Sequence, residues 1–307
     1  MIKRKNEIMT IGDAKKLYIL EKKAKGCVES TIDNTEFIFY LFLRDNTLTE
    51  EDPLHFINKN IVNEWSLFLQ SQEISPESVN AYLSRLRAFI NWCIANEYLP
   101  YFKVNLIKAQ EQNIKFFNEE ELEILCRKPA KDCTFIEYRT WVIICFILST
   151  GARASTIVNI YTEDIQDKKV YYRHLKNKSI AYIPLNDKIY TILNNYTKLW
   201  DTQSDYLFCD YRGNQLTVSA LRQSLKKYCK DRGVSPRGPH ALRHSFAREW
   251  IKGGGGAFQL QTLLCHKDGQ MTKKYVDLFS EDLIKDVEEF SPLENFVKNN
   301  KKVMKRA

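Results

Sequence analysis

Residues 240–247 read HALRHSFA, and the interpretation of the rest of the chain turns on them. His240 and Arg243 are three apart, so on a helix they share one face. With 5 histidines and 15 arginines in 307 residues, an H-x-x-R pair arises by chance about one time in four and decides little alone. His240 and His244 are also four apart, the spacing of a helical zinc pair. The residue after His240 is Ala241, so the glutamate base of H-E-x-x-H is missing and a metalloprotease reading fails.

Two further stretches extend the pattern on either side. Upstream, STGARAS (149–155) sets Arg153 just after the apolar run WVIICFIL (141–148). Downstream, LLCHKDGQMTKKYV (263–276) carries His266 and, nine residues later, Tyr275. Between them, KKVYYRH (168–174) and SIAYIPL (179–185) are short β-rich runs separated by Leu175-Lys176-Asn177-Lys178, the signature of a hairpin. Tyr171, Tyr172 and Tyr182 read there as strand formers.

The remainder is helical. Helices are expected over residues 10–25, 30–44, 58–70 and 76–95. Ser75-Pro76 supplies an N-cap followed by proline at the first helical position. Such helices with short connections describe a small bundle. A polar stretch, 108–115, reads as a linker. After it, Asn118 and Glu121 form a capping box that opens a second, mostly helical domain with one small sheet.

Composition narrows the function. The eight-residue run 141–148 is under half the length of a membrane-spanning helix, and MIKRKNEIMT carries no apolar signal segment. Eight scattered cysteines without a C-x-x-C pair argue for reduced thiols in a cytosol. The net charge of +8 is uneven: residues 1–110 carry 14 basic and 14 acidic side chains, and residues 111–307 carry 32 and 24. Arg222, Lys226 and Lys230 repeat every four residues as a basic helical stripe, and the tail from Lys298 to Arg306 is basic. Both features fit a polyanionic partner.

Taken in order, arginine, hairpin lysine, H-x-x-R, histidine and tyrosine, the chain resembles the tyrosine recombinase (phage integrase) family from about residue 10 to residue 290. STGAR matches the family's first arginine at Arg153. HLKNKSIAYIPL resembles its β-hairpin segment, which places the lysine at Lys176, with Lys178 as the rival and a further DNA contact. HALRHSFA supplies His240 and Arg243, LLCH supplies His266, and MTKKYV supplies Tyr275.

The resemblance implies a mainly α fold with a small β-sheet. It gives a helical core-binding domain (1–107), a linker (108–115), an α+β catalytic domain (116–290) and a basic tail (291–307), the two domains closing as a clamp on duplex DNA. Tyr275 is then the nucleophile that forms a 3′-phosphotyrosine. Arg153 and Arg243 clamp the nonbridging oxygens, Lys176 protonates the leaving oxygen, His240 assists proton transfer from Tyr275, and His266 hydrogen-bonds the phosphate. No cofactor and no metal is implied. Apolar positions from Leu283 to Phe296 fit docking on a neighbouring protomer, hence a tetramer on two DNA sites, or packing within one chain. The expected location is the cytoplasm of a bacterial host, on the nucleoid.

This sequence departs from the family pattern at three places. Cys265 stands where the family usually has glycine, Thr156 where it often has an acid, and Gly253–Gly256 form a run of four glycines expected to be flexible. These departures keep a second reading open, a DNA-binding regulator that has the fold but does not cleave.

Overall fold

The computed structural model describes residues 8–108, 114–173, 181–199, 204–265 and 269–279. The chain forms two compact units, Met1–Gln112 and Asn113–Ala307. Lys176, Lys178, His266 and the apolar positions from Leu283 to Phe296 lie outside the described residues. Among those described, no helix is long and apolar enough to cross a membrane.

The first unit contains α1 (Ile11–Ala24), α2 (Glu29–Asp45), α3 (Lys59–Ser71) and α4 (Pro76–Ala95). Their starts are chemically marked. Thr10 and Asp13 form a reciprocal capping box, Asn58 accepts from two backbone N–H groups of α3, and Ser75 caps α4 ahead of Pro76. An aromatic core joins the helices. Phe39 meets Phe89 edge-on at 4.6 Å and Phe42 meets Trp65 at 5.1 Å. The Trp65 indole is buried with its N–H donated to Asp45 at 3.0 Å.

The second unit opens at α5 (Glu119–Cys126), capped by the Asn118–Glu121 box expected from sequence. Next comes α6 (Phe135–Thr150), buried on nearly every face from Tyr138 to Ile147, followed by the single turn α7 (Ala154–Ile157). The sheet has three antiparallel strands in sequential order: β1 (Ile165–Gln166), β2 (Lys169–Tyr172) and β3 (Ala181–Pro184), with Val170 opposite Ile183. β2 and β3 are the two β-rich runs. β1 carries no sequence signal, because its turn bends through Asp167 and Lys168, both left-handed, without a glycine. Five helices follow: α8 (Asp187–Leu199), α9 (Val218–Asp231), α10 (Pro239–Lys252), α11 (Ala257–Leu263) and α12 (Gln270–Phe279).

Two devices position α10 and the residues around it. The entry segment is fastened to α10: the Phe117 N–H donates to Ser245 Oγ at 2.8 Å, and the Arg237 and Arg248 guanidiniums stack on Phe117 and Phe116. The four glycines after α10 are pinned as well. The Gly255 N–H donates to the Trp250 carbonyl at 2.8 Å, and the Trp250 indole donates to the Gly256 carbonyl at 3.2 Å. A Cβ on Gly255 would fall 2.2 Å from that indole, so this glycine makes room for the tryptophan. Within the run, only Gly255 is packed under the tryptophan; Gly254 is left-handed at φ 77° with open space around it.

Gly151 ends α6 in the left-handed conformation at φ 65°, returning its N–H to Ile147 at 2.7 Å. A Cβ there would meet Leu264 at 2.6 Å and Phe246 at 2.7 Å. Gly151→Ala is therefore expected to cost about 2–4 kcal/mol, the sum of left-handed strain and overpacking, measured by urea unfolding.

Candidate active site

Arg153 follows Gly151 and Ala152 at the sharp exit from α6, where it precedes α7. Its half-buried side chain turns toward the end of α11 and donates Nη1 to the Leu264 carbonyl at 3.3 Å. Arg243 comes from the buried side of α10. It donates Nη2 to the same Leu264 carbonyl at 2.8 Å and Nη1 to the Gly151 carbonyl at 2.6 Å. Two guanidiniums thus converge on one backbone oxygen. Burial and the neighbouring Arg153 charge lower the Arg243 pKa to about 10, which leaves it cationic near neutral pH.

Pro239 at the first helical position starts α10, and His240 is exposed in that first turn. Partial desolvation and the charges of Arg243, Arg222 and Arg153 lower its pKa, so neutral imidazole is favoured. The Arg222 influence sets the beginning of the α9 basic stripe beside this site. Arg222, Lys226 and Lys230 are all exposed on α9.

Tyr275 lies on α12 with only 1% of its surface exposed, inside a cluster with Phe246, Ala247, Leu260 and Leu264. Burial raises its pKa against the opposing pull of Arg243 and Arg153. The imidazole on its hydroxyl is His244, at 2.8 Å from Nδ1, with ring centroids 5.7 Å apart. Sequence reasoning assigned that proximity to His240, whose ring centre lies 6.4 Å from that of His244. Burial, then His240 and Arg243, push His244 down to about 4. Its i, i+4 relation to His240 was legible; its contact with Tyr275 depends on where α12 packs, which no local pattern reports.

Tyr172 on β2 is buried in the main core of this unit; burial raises its phenol, and Cys265 and Arg243 are close enough to act on it. Thr156, where the family pattern often has an acid, is buried in α7 and donates its N–H to the Arg153 carbonyl at 2.9 Å. Among the described residues, no cluster of His, Cys, Asp and Glu could hold a metal ion.

The arrangement is a cationic cluster with a phenol packed beside it. Arg153, His240, Arg243 and Tyr275 come together from the α6–α7 connection, α10 and α12. Two like charges on one neutral carbonyl repel each other, and an oxyanion bound between them relieves that repulsion.

The sequence model of the phage integrase family matches residues 115–282. The chain is 28% identical over 250 residues to tyrosine recombinase XerC of Staphylococcus haemolyticus, covering 75% of this chain and 84% of that protein. Among solved structures, the Tn1549 transposon integrase in complex with circular intermediate DNA superposes with a TM-score of 0.71 at 18% identity, over 92% of this chain and 98% of that one. The lambda integrase tetramer bound to a Holliday junction superposes with a TM-score of 0.70 at 16% identity, over 88% and 78%.

Cys265 is left-handed at φ 49°, the conformation for which glycine is the natural residue. The missing glycine therefore appears as backbone strain, while the thiol packs half-buried against the core. Cys265→Gly should stay within about 1 kcal/mol of the wild type, as lost packing and gained unfolded-state freedom offset the relieved strain. Cys265→Val should lose about 2 kcal/mol, because a β-branched residue is poorly accommodated there. Thermal unfolding of both variants checks the pair.

Proposed function

The chain belongs to the phage integrase family, and from that premise we propose that it is a site-specific recombinase that cuts and rejoins duplex DNA through a phosphotyrosine at Tyr275. The observation that supports this reading best is the convergence of Arg153 and Arg243 on the Leu264 carbonyl next to Tyr275 and His240. Two fixed guanidiniums suit a phosphodiester whose nonbridging oxygens gain charge in the transition state. Lysine in their place would give point charges without the planar fork.

The chemistry conserves bond energy. The Tyr275 oxygen attacks phosphorus and loses its proton; the bond to the 5′-oxygen breaks, and that oxygen takes a proton from Lys176. The product is a 3′-phosphotyrosine and a free 5′-hydroxyl, and attack by a partner strand's 5′-hydroxyl reverses the steps. His240, exposed and favoured in its neutral form, receives or relays the phenolic proton once Tyr275 reaches the phosphate. The resemblance assigns the phosphate-binding role to His266, and Lys178, two residues after Lys176 in sequence, is a further DNA contact in this proposal. No step calls for a metal or a cofactor.

The working assembly in this proposal is a tetramer on two DNA sites, with the helical domain (1–107) and the catalytic domain (116–290) each a DNA-binding unit. Its place is on nucleoid DNA in the bacterial cytoplasm. Arg222, Lys226 and Lys230 extend the cationic surface from the site along α9.

A nicked duplex carrying the element's attachment site is the test substrate. The wild type is expected to give a covalent protein–DNA band on a denaturing gel, and Tyr275→Phe none. Specific binding by both proteins without an adduct from either would instead identify a DNA-binding regulator. Replacing Arg222, Lys226 and Lys230 together by alanine should weaken binding to all sequences and lower the slope of log affinity against log salt by about 2–3. Binding titrations at several salt concentrations measure it.

A further inference from the structure

The position of Tyr275 does not suit attack. A phosphodiester is bulky and hydrated, and it cannot reach a phenol that is 1% exposed and surrounded by Phe246, Leu260 and Leu264. A buried phenol carries a cost of its own, because its hydroxyl needs a hydrogen-bond partner. His244 supplies one at 2.8 Å. The phenolic oxygen lies on the axis of ring rotation, so flipping the ring leaves it in place. Only rotation of the whole side chain about Cα–Cβ, or movement of α12, takes it away from Nδ1.

We propose that His244 is a positioning residue that holds the Tyr275 phenol in a buried resting position, which the phenol must leave to meet a phosphate. The inference rests on Tyr275 being the nucleophile. Three observations carry it. The hydroxyl and Nδ1 are within hydrogen-bonding distance. The ring fills an apolar cluster built by α10 and α11. The two arginines are meanwhile occupied by the Gly151 and Leu264 carbonyls. Burial keeps the His244 imidazole neutral, and in the tautomer protonated at Nε2 its Nδ1 accepts the phenolic hydrogen. His244 is half-buried at the edge of this cluster, one residue after Arg243 on α10. A phosphate drawn to the arginines therefore arrives beside the residue that holds the nucleophile.

The test uses the full-length chain and a readout that does not require recombination. Tetranitromethane nitrates accessible tyrosines, and mass spectrometry of the peptide containing Tyr275 gives its rate in the DNA-free protein. His244→Phe keeps the ring volume and removes the acceptor. It should nitrate at Tyr275 roughly 5- to 30-fold faster than the wild type, the population shift expected from losing one hydrogen bond. His244→Asn, whose Oδ1 can occupy the Nδ1 position, should return the rate to within about threefold of the wild type. On the nicked duplex, His244→Phe should form the covalent adduct faster than the wild type at saturating DNA. Equal nitration of His244→Phe and wild type overturns the proposal. So does equal acceleration in His244→Phe and His244→Asn, or slower adduct formation by His244→Phe. An adduct from Tyr275→Phe would overturn the nucleophile assignment itself, a result the nitration rates cannot mimic.

Discussion

The Leu264 carbonyl oxygen accepts from two guanidiniums, and the geometry of the site depends on that shared contact. Arg153 reaches it from the end of α6 and Arg243 from the middle of α10, 90 residues apart in sequence. Each arginine alone would have many rotamers available at a surface. Sharing an acceptor at the C-terminal end of α11 fixes them side by side, at the cost of their mutual repulsion. Gly151 completes the arrangement. Its left-handed turn aims Arg153, its carbonyl receives Arg243, and its missing Cβ lets Leu264 and Phe246 close over it.

Around this contact the structure separates charged from neutral groups by depth. Arg243 is buried but remains protonated, because its pKa falls only to about 10 from a very high starting value. The histidines lose their protons instead: His244, deeper and close to Arg243, falls to about 4. The same low-dielectric surroundings act oppositely on Tyr275, whose phenol is held in its neutral form. A strong positive field therefore coexists with neutral proton-exchanging groups, the combination that phosphoryl transfer to a phenol requires.

Much of this was legible in the sequence, and the reason lies in how locally each feature is encoded. A helix of the first unit was marked by Ser75-Pro76 and the start of the second unit by the Asn118–Glu121 box, each a cap that acts within four residues. The β2–β3 pairing followed from two β-rich runs flanking a turn. The positive φ at Cys265 was foreshadowed by the absent glycine. Features set by distant packing were not legible. β1 is two residues long and turns without glycine, so composition carries no trace of it. The contact of Trp250 with Gly255 likewise leaves no trace in a run of four glycines. His244 was visible only as one half of a failed zinc pair, since its partner is chosen by the docking of α12.

The hydrogen bond between Phe117 and Ser245 joins residues 128 positions apart, and it has a consequence for biosynthesis. The first residues of the second unit can be secured only after α10 has been made, when most of the chain has already left the ribosome. The helices of the first unit have short connections and can settle while synthesis continues. The two parts of the chain thus mature at different times. Arg243 and Tyr275 are made late as well, so the site can be assembled only once nearly all of the described chain has been synthesised.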